Sequence, residues 1–494
     1  MLIYSYLFLF LFLPVTLLGY YLIGKLKYPR IAVVWLIAAS LLFYGLYNYL
    51  YVVLILFSIL SNYTIGRGLA SQKLINYRRL ILAAGIVINV LLLGYFKYIN
   101  VFIDTANFYF GIDFHFRTII LPLAISFFTL QQIAYLVDAY RGEIGKHNFF
   151  DYCLFVTFFP KLISGPIVRF KEMVPQIVEG SKFHVTRENI AVGLTVLFMG
   201  LFKKIILADT IGQYADFIFD GPTAGISFVH AWIGALSYTF QLYFDFSGYC
   251  DIAIGLGLMF GIRLPLNFYS PYRATSVQDF WRRWHITLSR FLRDYLYIPL
   301  GGNRRGFPRQ VVNLLLVMTI AGLWHGADQT FIVWGALHGL YLVINHSWRR
   351  LKEKLGYDLQ RSSPWGTAIS MLVTFVAVTV AWVFFRAGTL TTAVAILQGM
   401  TGMNGFIFSS LPASLHGAVI WVLASLVICW FLPNLQEYMA HYQPALDSFY
   451  GGIKKARRWL RWEPSLWRAV IIAGMAIWAM LNLSQVSEFI YFQF

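Results

Sequence analysis

Residues 2–23 read LIYSYLFLFLFLPVTLLGYYLI, a run without a charged side chain. A helix needs about 20 predominantly apolar residues to cross the hydrocarbon core of a bilayer, so this stretch predicts a membrane-spanning helix. No basic residues precede the run, and no small-residue cleavage pattern follows it. A secretory signal peptide has basic residues before its apolar run and a small-residue cleavage pattern after it. Because the sequence shows neither, we interpret the run as a retained transmembrane helix.

Comparable apolar runs recur along all 494 residues. The chain is 59% hydrophobic and only 12% charged, with a mean hydropathy of +0.64, whereas a soluble domain carries about 25% charged residues. We therefore predict an all-α polytopic membrane protein, a single membrane-embedded domain over residues 1–494 with eleven to fourteen crossings. The predicted spans are 2–23, 31–46, 49–62, 80–97, 118–137, 150–166, 189–209, 226–244, 247–262, 311–324, 328–346, 367–385, 415–433 and 467–486.

The net charge of +17 resides in short basic clusters between the apolar runs. This pattern is typical of membrane orientation and does not indicate nucleic-acid binding. Clusters at 25–30, 67–79, 263–309 and 454–461 place those segments on the cytoplasmic side. The loop around Asp104 and both termini are then predicted outside. The three cysteines, Cys153, Cys250 and Cys429, have no metal-ligand spacing, so we expect neither a metal site nor a disulfide framework.

The region 263–309 is the most basic part of the chain, with nine arginines. Ser276 and Asp279 form a capping-box-like helix start. Five bulky residues follow on one helical face, and arginines lie away from that face; the five are Trp281, Trp284, Leu288, Phe291 and Tyr295. We predict one amphipathic helix at the membrane interface, which either contributes to a site or only anchors the fold.

Two histidines are candidates for chemistry. His325 ends an apolar run, and His285 lies on the amphipathic stretch. An ionisable side chain within a membrane is costly to bury and is a functional candidate for that reason. A neutral imidazole can take a proton from a hydroxyl near pH 7. The alternative is a hydrogen-bonded packing residue, which is how we interpret His338 and His346.

Several motifs, in family order, resemble the membrane-bound O-acyltransferase (MBOAT) family. The resemblance covers most of the chain and is strongest over residues 150–345. The motifs are FPKLISGPI at 159–167, YFDFSGYCDIAIG at 243–255, NFYSPY at 267–272, DFWRRWHITLS at 279–289 and LWHG at 323–326, followed by WG at 334–335 and HG at 338–339. Within the family, the chain is most similar to the membrane subunits that O-acetylate alginate.

The resemblance implies an MBOAT-type helical fold with a central funnel and with re-entrant or interfacial helices. The invariant histidine of the family falls on His325, which is the expected general base. The second active-site position, which is Asn, Asp or His in the family, falls on His285. The resemblance also implies that a cytoplasmic thioester binds on one side of the funnel and the acyl acceptor on the other.

The last six residues, FIYFQF at 489–494, resemble a C-terminal aromatic motif of bacterial envelope-acylation systems. That resemblance implies Tyr491 as a transient acyl carrier. A phenol has a pKa of about 10, so its ester transfers its acyl group more readily than a sugar ester does. The alternative is an aromatic belt at the membrane interface.

We therefore expect an O-acyltransferase of the bacterial inner membrane. It would move an acetyl group from acetyl-CoA or another acyl thioester to an esterase-like periplasmic or extracellular partner, and indirectly to an exopolysaccharide such as alginate. Apart from membrane lipid, no tightly bound cofactor is expected. Arg282, Arg283 and Ser289 are donor-binding candidates. A transporter or flippase for a lipid-linked sugar is the alternative, and a scaffold with a degenerate site is a third.

Overall fold

Helices account for the regular structure of the chain. A computed structural model describes residues 1–26, 28–111, 118–145, 147–178, 186–222, 224–358, 363–406, 413–446, 449, 452–457, 460–485, 487, 489 and 490. Over these residues there is no β-strand, only an isolated bridge between Pro265 and Leu446. The predicted all-α class is confirmed.

We number the helices in chain order. They are α1 Phe8–Lys25, α2 Pro29–Gly45, α3 Tyr49–Ala70, α4 Arg78–Phe110, α5 Ile125–Arg141, α6 Phe149–Thr157, α7 Phe159–Leu162, α8 Phe170–Val178, α9 Arg187–Phe219, α10 Phe228–Met259, α11 Val277–Arg283, α12 Ile286–Leu292, α13 Gly306–His325, α14 Gln329–Lys354, α15 Pro364–Arg386, α16 Leu390–Met400, α17 Ala413–Phe431, α18 Leu435–Tyr438 and α19 Leu466–Leu481. Short 3₁₀ segments lie at Gln72–Tyr77, Pro271–Arg273 and Leu483–Gln485, and a π segment at Arg293–Tyr297 follows α12.

Six of the helical segments in the described ranges are long and apolar enough to cross a membrane. They are Phe8–Lys25, Tyr49–Ala70, Gln72–Phe110, Arg187–Phe219, Gly306–His325 and Pro364–Arg386. Shorter apolar helices lie at Pro29–Gly45, Leu390–Met400, His416–Phe431 and Leu466–Leu481. The protein is therefore a multi-pass membrane protein, and the total of eleven to fourteen crossings stays a prediction.

The predicted break between spans 226–244 and 247–262 is wrong. Both stretches belong to α10, a continuous helix of 32 residues. The polar residues that lower the hydropathy there suggested a loop, but they are buried: Asp245 is 1% exposed and Ser247 is 2% exposed. A buried polar group that finds its partner inside the protein does not require the helix to end.

Prolines also divide stretches that were predicted as single spans. The predicted span 150–166 contains two short helices, α6 and α7, because Pro160 has no N–H with which to continue α6. The predicted span 118–137 becomes helical only at Ile125, three residues after Pro122. These two corrections concern boundaries, which hydropathy defines poorly.

One of the two structural units consists of residues 1–199, 249–265 and 444–446. Its core contains a cluster of phenylalanines in which the ring of Phe159 lies 5.9 Å from Phe8 and 5.7 Å from Phe43. Polar contacts are buried here too. The amides of Asn62 and Asn89 donate to each other's oxygens, at 3.2 and 2.7 Å, so α3 and α4 are joined without an unsatisfied amide.

The other unit consists of residues 200–248, 266–443 and 447–494. Within it, α13 and α14 approach closely because glycines line their contact. A Cβ atom on Gly322 would lie 2.2 Å from the carbonyl oxygen of Phe331, and one on Gly335 would lie 2.4 Å from that of Met318. All candidate site residues that the structure describes belong to this unit. The single-domain organisation over 1–494 stays a prediction.

Candidate active site

His325 is the last residue of α13 and is 4% exposed. Its imidazole ring lies among aromatic rings, 5.1 Å from Trp334 on α14 and 5.1 Å from Phe385 on α15. The next residue is Gly326, at which a Cβ atom would lie 2.1 Å from the ring of Phe331. The close approach of α13 and α14 therefore brings the histidine into an apolar surrounding, in which electrostatic interactions are strong.

His285 lies between α11 and α12 and has a left-handed backbone, with φ 42° and ψ 53°. This conformation is uncommon for a residue other than glycine and costs of the order of 1 kcal/mol or more. Asn267 stabilises it from outside the helices: its backbone carbonyl accepts a hydrogen bond from the N–H of Ile286 at 3.0 Å. The side chain of His285 is 1% exposed.

The side chain of Asn267 also determines which nitrogen of His285 carries a proton. Its Oδ1 accepts hydrogen bonds from the backbone N–H of Thr287 at 3.2 Å and from the Thr287 hydroxyl at 2.9 Å. The same oxygen lies 3.1 Å from Nδ1 of His285. Because Oδ1 acts as an acceptor, Nδ1 is the donor, and the lone pair of the imidazole is on Nε2.

Burial lowers the pKa of His285 to about 3. Burial removes water from the imidazolium, and this desolvation favours the neutral form. At pH 7 His285 is therefore a neutral imidazole that can accept a hydrogen bond at Nε2.

The single amphipathic helix predicted from Ser276 onward is wrong in one respect. Its start is confirmed, since the N–H of Asp279 donates to Oγ of Ser276 at 3.1 Å. The helix ends at Arg283, however, and restarts at Ile286. The periodic stripe is interrupted because the hydrogen bonds of Asn267 to the backbone at 286 and 287 replace helical ones.

Trp324 contacts both candidate histidines. Its ring centroid lies 4.8 Å from that of the adjacent His325 and 6.4 Å from that of His285. The structure therefore brings together two residues that are forty positions apart in the sequence. A cluster of further tryptophans surrounds them, with Trp334 stacked on Trp382 at 5.7 Å.

A cavity of 570 Å³ lies in the same unit and has a basic lining. Two of the three donor-binding candidates, Arg282 and Ser289, line it, together with Arg290 and Arg293. The third candidate, Arg283, makes other contacts: its Nε donates to Asp279 at 2.9 Å, and its guanidinium lies over the ring of Tyr269. Remaining lining residues include Gln278, Trp281, Ile286, Tyr297, Gln310 and His346.

A model of the membrane-bound O-acyltransferase family, MBOAT, matches residues 117–387, which include both histidines and the cavity. The chain belongs to this family. It is therefore an O-acyltransferase. This family match gives no support to the transporter or flippase alternative.

The relatives of this acyltransferase are named for different polymers. It is 46% identical to a peptidoglycan O-acetyltransferase of Helicobacter pylori over 81% of the chain and 79% of the relative. It is 39% identical to a probable alginate O-acetylase of Pseudomonas putida over 99% of both chains. A teichoic acid D-alanyltransferase of Streptococcus thermophilus is 27% identical over 53% of the chain and 68% of the relative.

Not every predicted site residue of the acyltransferase can be placed. Tyr491 lies outside the described residues, and its carrier role stays a prediction, as do the roles of His325 and His285. His338 is fully buried and lies 3.3 Å from the indole nitrogen of Trp281, which donates to its Nδ1. That hydrogen bond agrees with the packing role that we predict for His338.

Sequence reasoning gave no individual role to Asn267, although it lies in the NFYSPY motif. An asparagine within such a motif is a signal for a positioning role. Its partner His285, however, lies eighteen residues away and is not related to it by helical periodicity. The sequence analysis also assigned no role to Lys204, Asp209 and Asp245, which form a buried ion cluster. The signal there was available, since ionisable residues inside apolar runs are functional candidates.

Proposed function

We propose that this O-acyltransferase takes an acetyl group from a cytoplasmic acyl thioester and delivers it outside the inner membrane, for ester formation on a cell-envelope glycan. The observation that supports this proposal most is that the rings of His285 and His325 both contact Trp324, in a buried aromatic surrounding. A transferase that must exclude water from a reactive ester benefits from such a site.

The basic cavity is the proposed binding site of the acyl donor. Coenzyme A carries phosphate groups, and arginines bind phosphate oxygens through paired N–H donors. Arg282 and Arg290 provide guanidinium groups along its lining. Arg293 also lines it and donates to Asp294 at 2.6 and 3.1 Å. The volume of 570 Å³ lies within the range of about 300–1,000 Å³ that is usual for small-molecule sites.

The proposed chemistry is acyl transfer with His325 as general base. The attacking hydroxyl loses its proton to the neutral imidazole as its oxygen bonds to the thioester carbonyl carbon. The carbon–sulfur bond then breaks, and the leaving thiolate takes the proton from the imidazolium. The products are an oxygen ester and a free thiol.

The developing oxyanion requires a donor, and Trp334 is suited to that role. Its side chain is 1% exposed and its ring contacts that of His325. Its indole N–H has no hydrogen-bond acceptor among the residues that the structure describes. A fixed N–H in an apolar site stabilises a developing negative charge more strongly than one in water.

We further propose that Tyr491 receives the acyl group first and passes it to an esterase-like partner outside, which acylates the polymer. His285 would support His325 or contact the donor. An exopolysaccharide such as alginate is the expected final acceptor. Peptidoglycan is a second candidate, because the relative named for peptidoglycan O-acetylation is 46% identical to this chain.

The test is the acetyl content of both polymers in a strain that expresses His325→Ala. Ester-linked acetate is released with mild alkali, separately from the exopolysaccharide and the peptidoglycan fractions. We expect His325→Ala to abolish acetylation of one polymer, which thereby identifies the acceptor. His441→Ala replaces an exposed histidine and serves as the matched control, with wild-type acetylation expected. Wild-type acetylation by a well-expressed His325→Ala protein would contradict the assignment.

A further inference from the structure

A buried ion cluster lies in the same unit as the candidate active site. Lys204 on α9 is 1% exposed, and its Nζ lies 2.8 Å from Oδ1 of Asp209 and 2.7 Å from Oδ1 of Asp245. Asp245 is itself 1% exposed and belongs to α10. Burying one ammonium with two carboxylates is costly unless the remaining carboxylate lone pairs find donors.

Two local features bring these three residues together. Residues Lys203–Ala208 form a π turn within α9, in which residues five apart are neighbours, so Lys204 meets Asp209. Gly248 lets α10 approach this turn, because a Cβ atom there would lie 2.9 Å from the carbonyl oxygen of Gly200. Single π turns are found frequently at functional sites.

The C-terminal segment supplies the donors that the carboxylates need. The hydroxyl of Ser487 donates to Oδ1 of Asp209 at 2.6 Å and accepts a hydrogen bond from Lys204 at 3.2 Å. The backbone N–H of Ile490 donates to Oδ2 of Asp245 at 3.0 Å. Asp209 therefore holds Ser487, and Asp245 holds Ile490.

The same segment leads to the candidate active site. Phe489 is fully buried, and its ring lies 5.9 Å from that of Phe246 on α10. Phe246 in turn lies 4.8 Å, ring to ring, from His285. Phe246 therefore contacts both Phe489 and His285, and Ile490 comes immediately before residue 491 in the sequence.

We propose that Lys204, Asp209 and Asp245 form a docking site for the C-terminal segment of this chain, and that they are positioning residues for Tyr491 in acyl transfer. The positioning role rests on the proposed function, whereas the docking itself does not. The two aspartates hold backbone and hydroxyl donors on both sides of Phe489, and Lys204 compensates their charge. Release of the segment leaves two buried carboxylates with one ammonium, so the docked state is favoured.

Docking is tested through the protection of a thiol in the full-length protein in membranes. Ile490→Cys introduces a cysteine at a position that is 6% exposed and keeps the backbone N–H that donates to Asp245. Its rate of reaction with a maleimide is followed by peptide mass spectrometry. The same digest resolves the native cysteines, all of which are buried.

Substitutions at Ser487 then weaken the docking without replacing any of the three charged residues. We expect Ser487→Ala to raise the labelling rate at position 490 by about tenfold or more, the effect of losing a hydrogen bond to a charged group. Ser487→Thr keeps the hydroxyl and should restore protection. Ser484→Ala, at an exposed serine three residues earlier, should leave the rate unchanged. Equal labelling rates in Ser487→Ala and wild type would overturn the docking site.

Positioning is tested in chains that lack the added cysteine. Ser487→Ala and Asp245→Asn should lower polymer acetylation about tenfold, and Ser487→Thr should restore it. Asp216→Asn removes an ion pair of similar length, between Asp216 on α9 and Arg386 on α15, and should have no effect. Faster labelling with wild-type acetylation would overturn the positioning role. The proposed function is decided separately, by the loss of acetylation in His325→Ala.

Discussion

The contact between α13 and α14 offers a direct test of how the site is positioned. Gly322→Ala places a Cβ atom 2.2 Å from the carbonyl oxygen of Phe331, and real Cβ contacts are essentially never shorter than 3.0 Å. The obstacle is backbone, which cannot rotate away as a side chain can. The two helices must therefore separate locally by about 0.8 Å, which is of the order of the 1 Å misplacement known to impair catalysis.

Two effects of different size follow from this displacement. Overpacking of a closely packed contact costs about 1–3 kcal/mol in the free energy of unfolding. The catalytic effect should be larger than the loss of folded protein suggests, because His325 is one turn from Gly322 and its partner Trp334 lies on the other helix. A misplacement of about 1 Å can lower a rate by about a hundredfold, so we expect a loss of about ten- to a hundredfold in acetyl transfer.

The assay compares membrane-extracted variants for acetyl transfer and for thermal unfolding. Gly335→Ala, which meets the carbonyl oxygen of Met318 at 2.4 Å, should behave like Gly322→Ala. Gly474→Ala in α19 is the matched control, since a Cβ atom there meets nothing within 4 Å. It should retain activity and gain about 0.5–1 kcal/mol of helix stability. Wild-type activity in Gly322→Ala would refute the idea that glycine contacts set the site geometry.

Three further outcomes are expected. Asn267→Ala removes the acceptor shared by His285 and Thr287, so folded protein should accumulate with transfer reduced about tenfold, which corresponds to about 1.4 kcal/mol in the activation barrier; transfer at the wild-type rate would show that the orientation of His285 is unimportant. Tyr491→Phe keeps the aromatic surface but removes the hydroxyl, and should eliminate polymer acylation; activity near wild type would leave the tail as a membrane anchor. Asn303→Cys should resist an impermeant external thiol reagent while Asp104→Cys reacts, and external labelling of position 303 would overturn the predicted orientation.

The features predicted from sequence are those that depend on neighbouring residues. Apolar runs indicated the membrane helices, and Ser276 marked the start of α11, because hydropathy and capping act within a few positions. The turn at His285 could not be predicted in this way. It depends on Asn267, eighteen residues earlier, and helical periodicity contains no information about such a partner.

Burial explains the other difference between prediction and structure. Asp245 reduces the hydropathy of its stretch and suggested a loop, but α10 continues through it because Lys204 and the C-terminal segment satisfy the carboxylate. Hydropathy assigns a cost to a charged residue and cannot register a partner that is distant in the sequence. The motif histidines, in contrast, were found by resemblance, and the structure brings them to the same tryptophan.

The left-handed backbone at position 285 disfavours most amino acids at that position. Among residues with a side chain, this region of φ and ψ is populated several-fold more often by Asn, Asp and His than by others. They are also the three residues that the resemblance to the family implies for this position. A replacement such as His285→Gln is therefore penalised by the backbone conformation as well as by the loss of the imidazole. His285→Gly removes the side chain and adopts this backbone without steric strain, so it is the reference from which the chemical contribution of a side chain at this position should be measured.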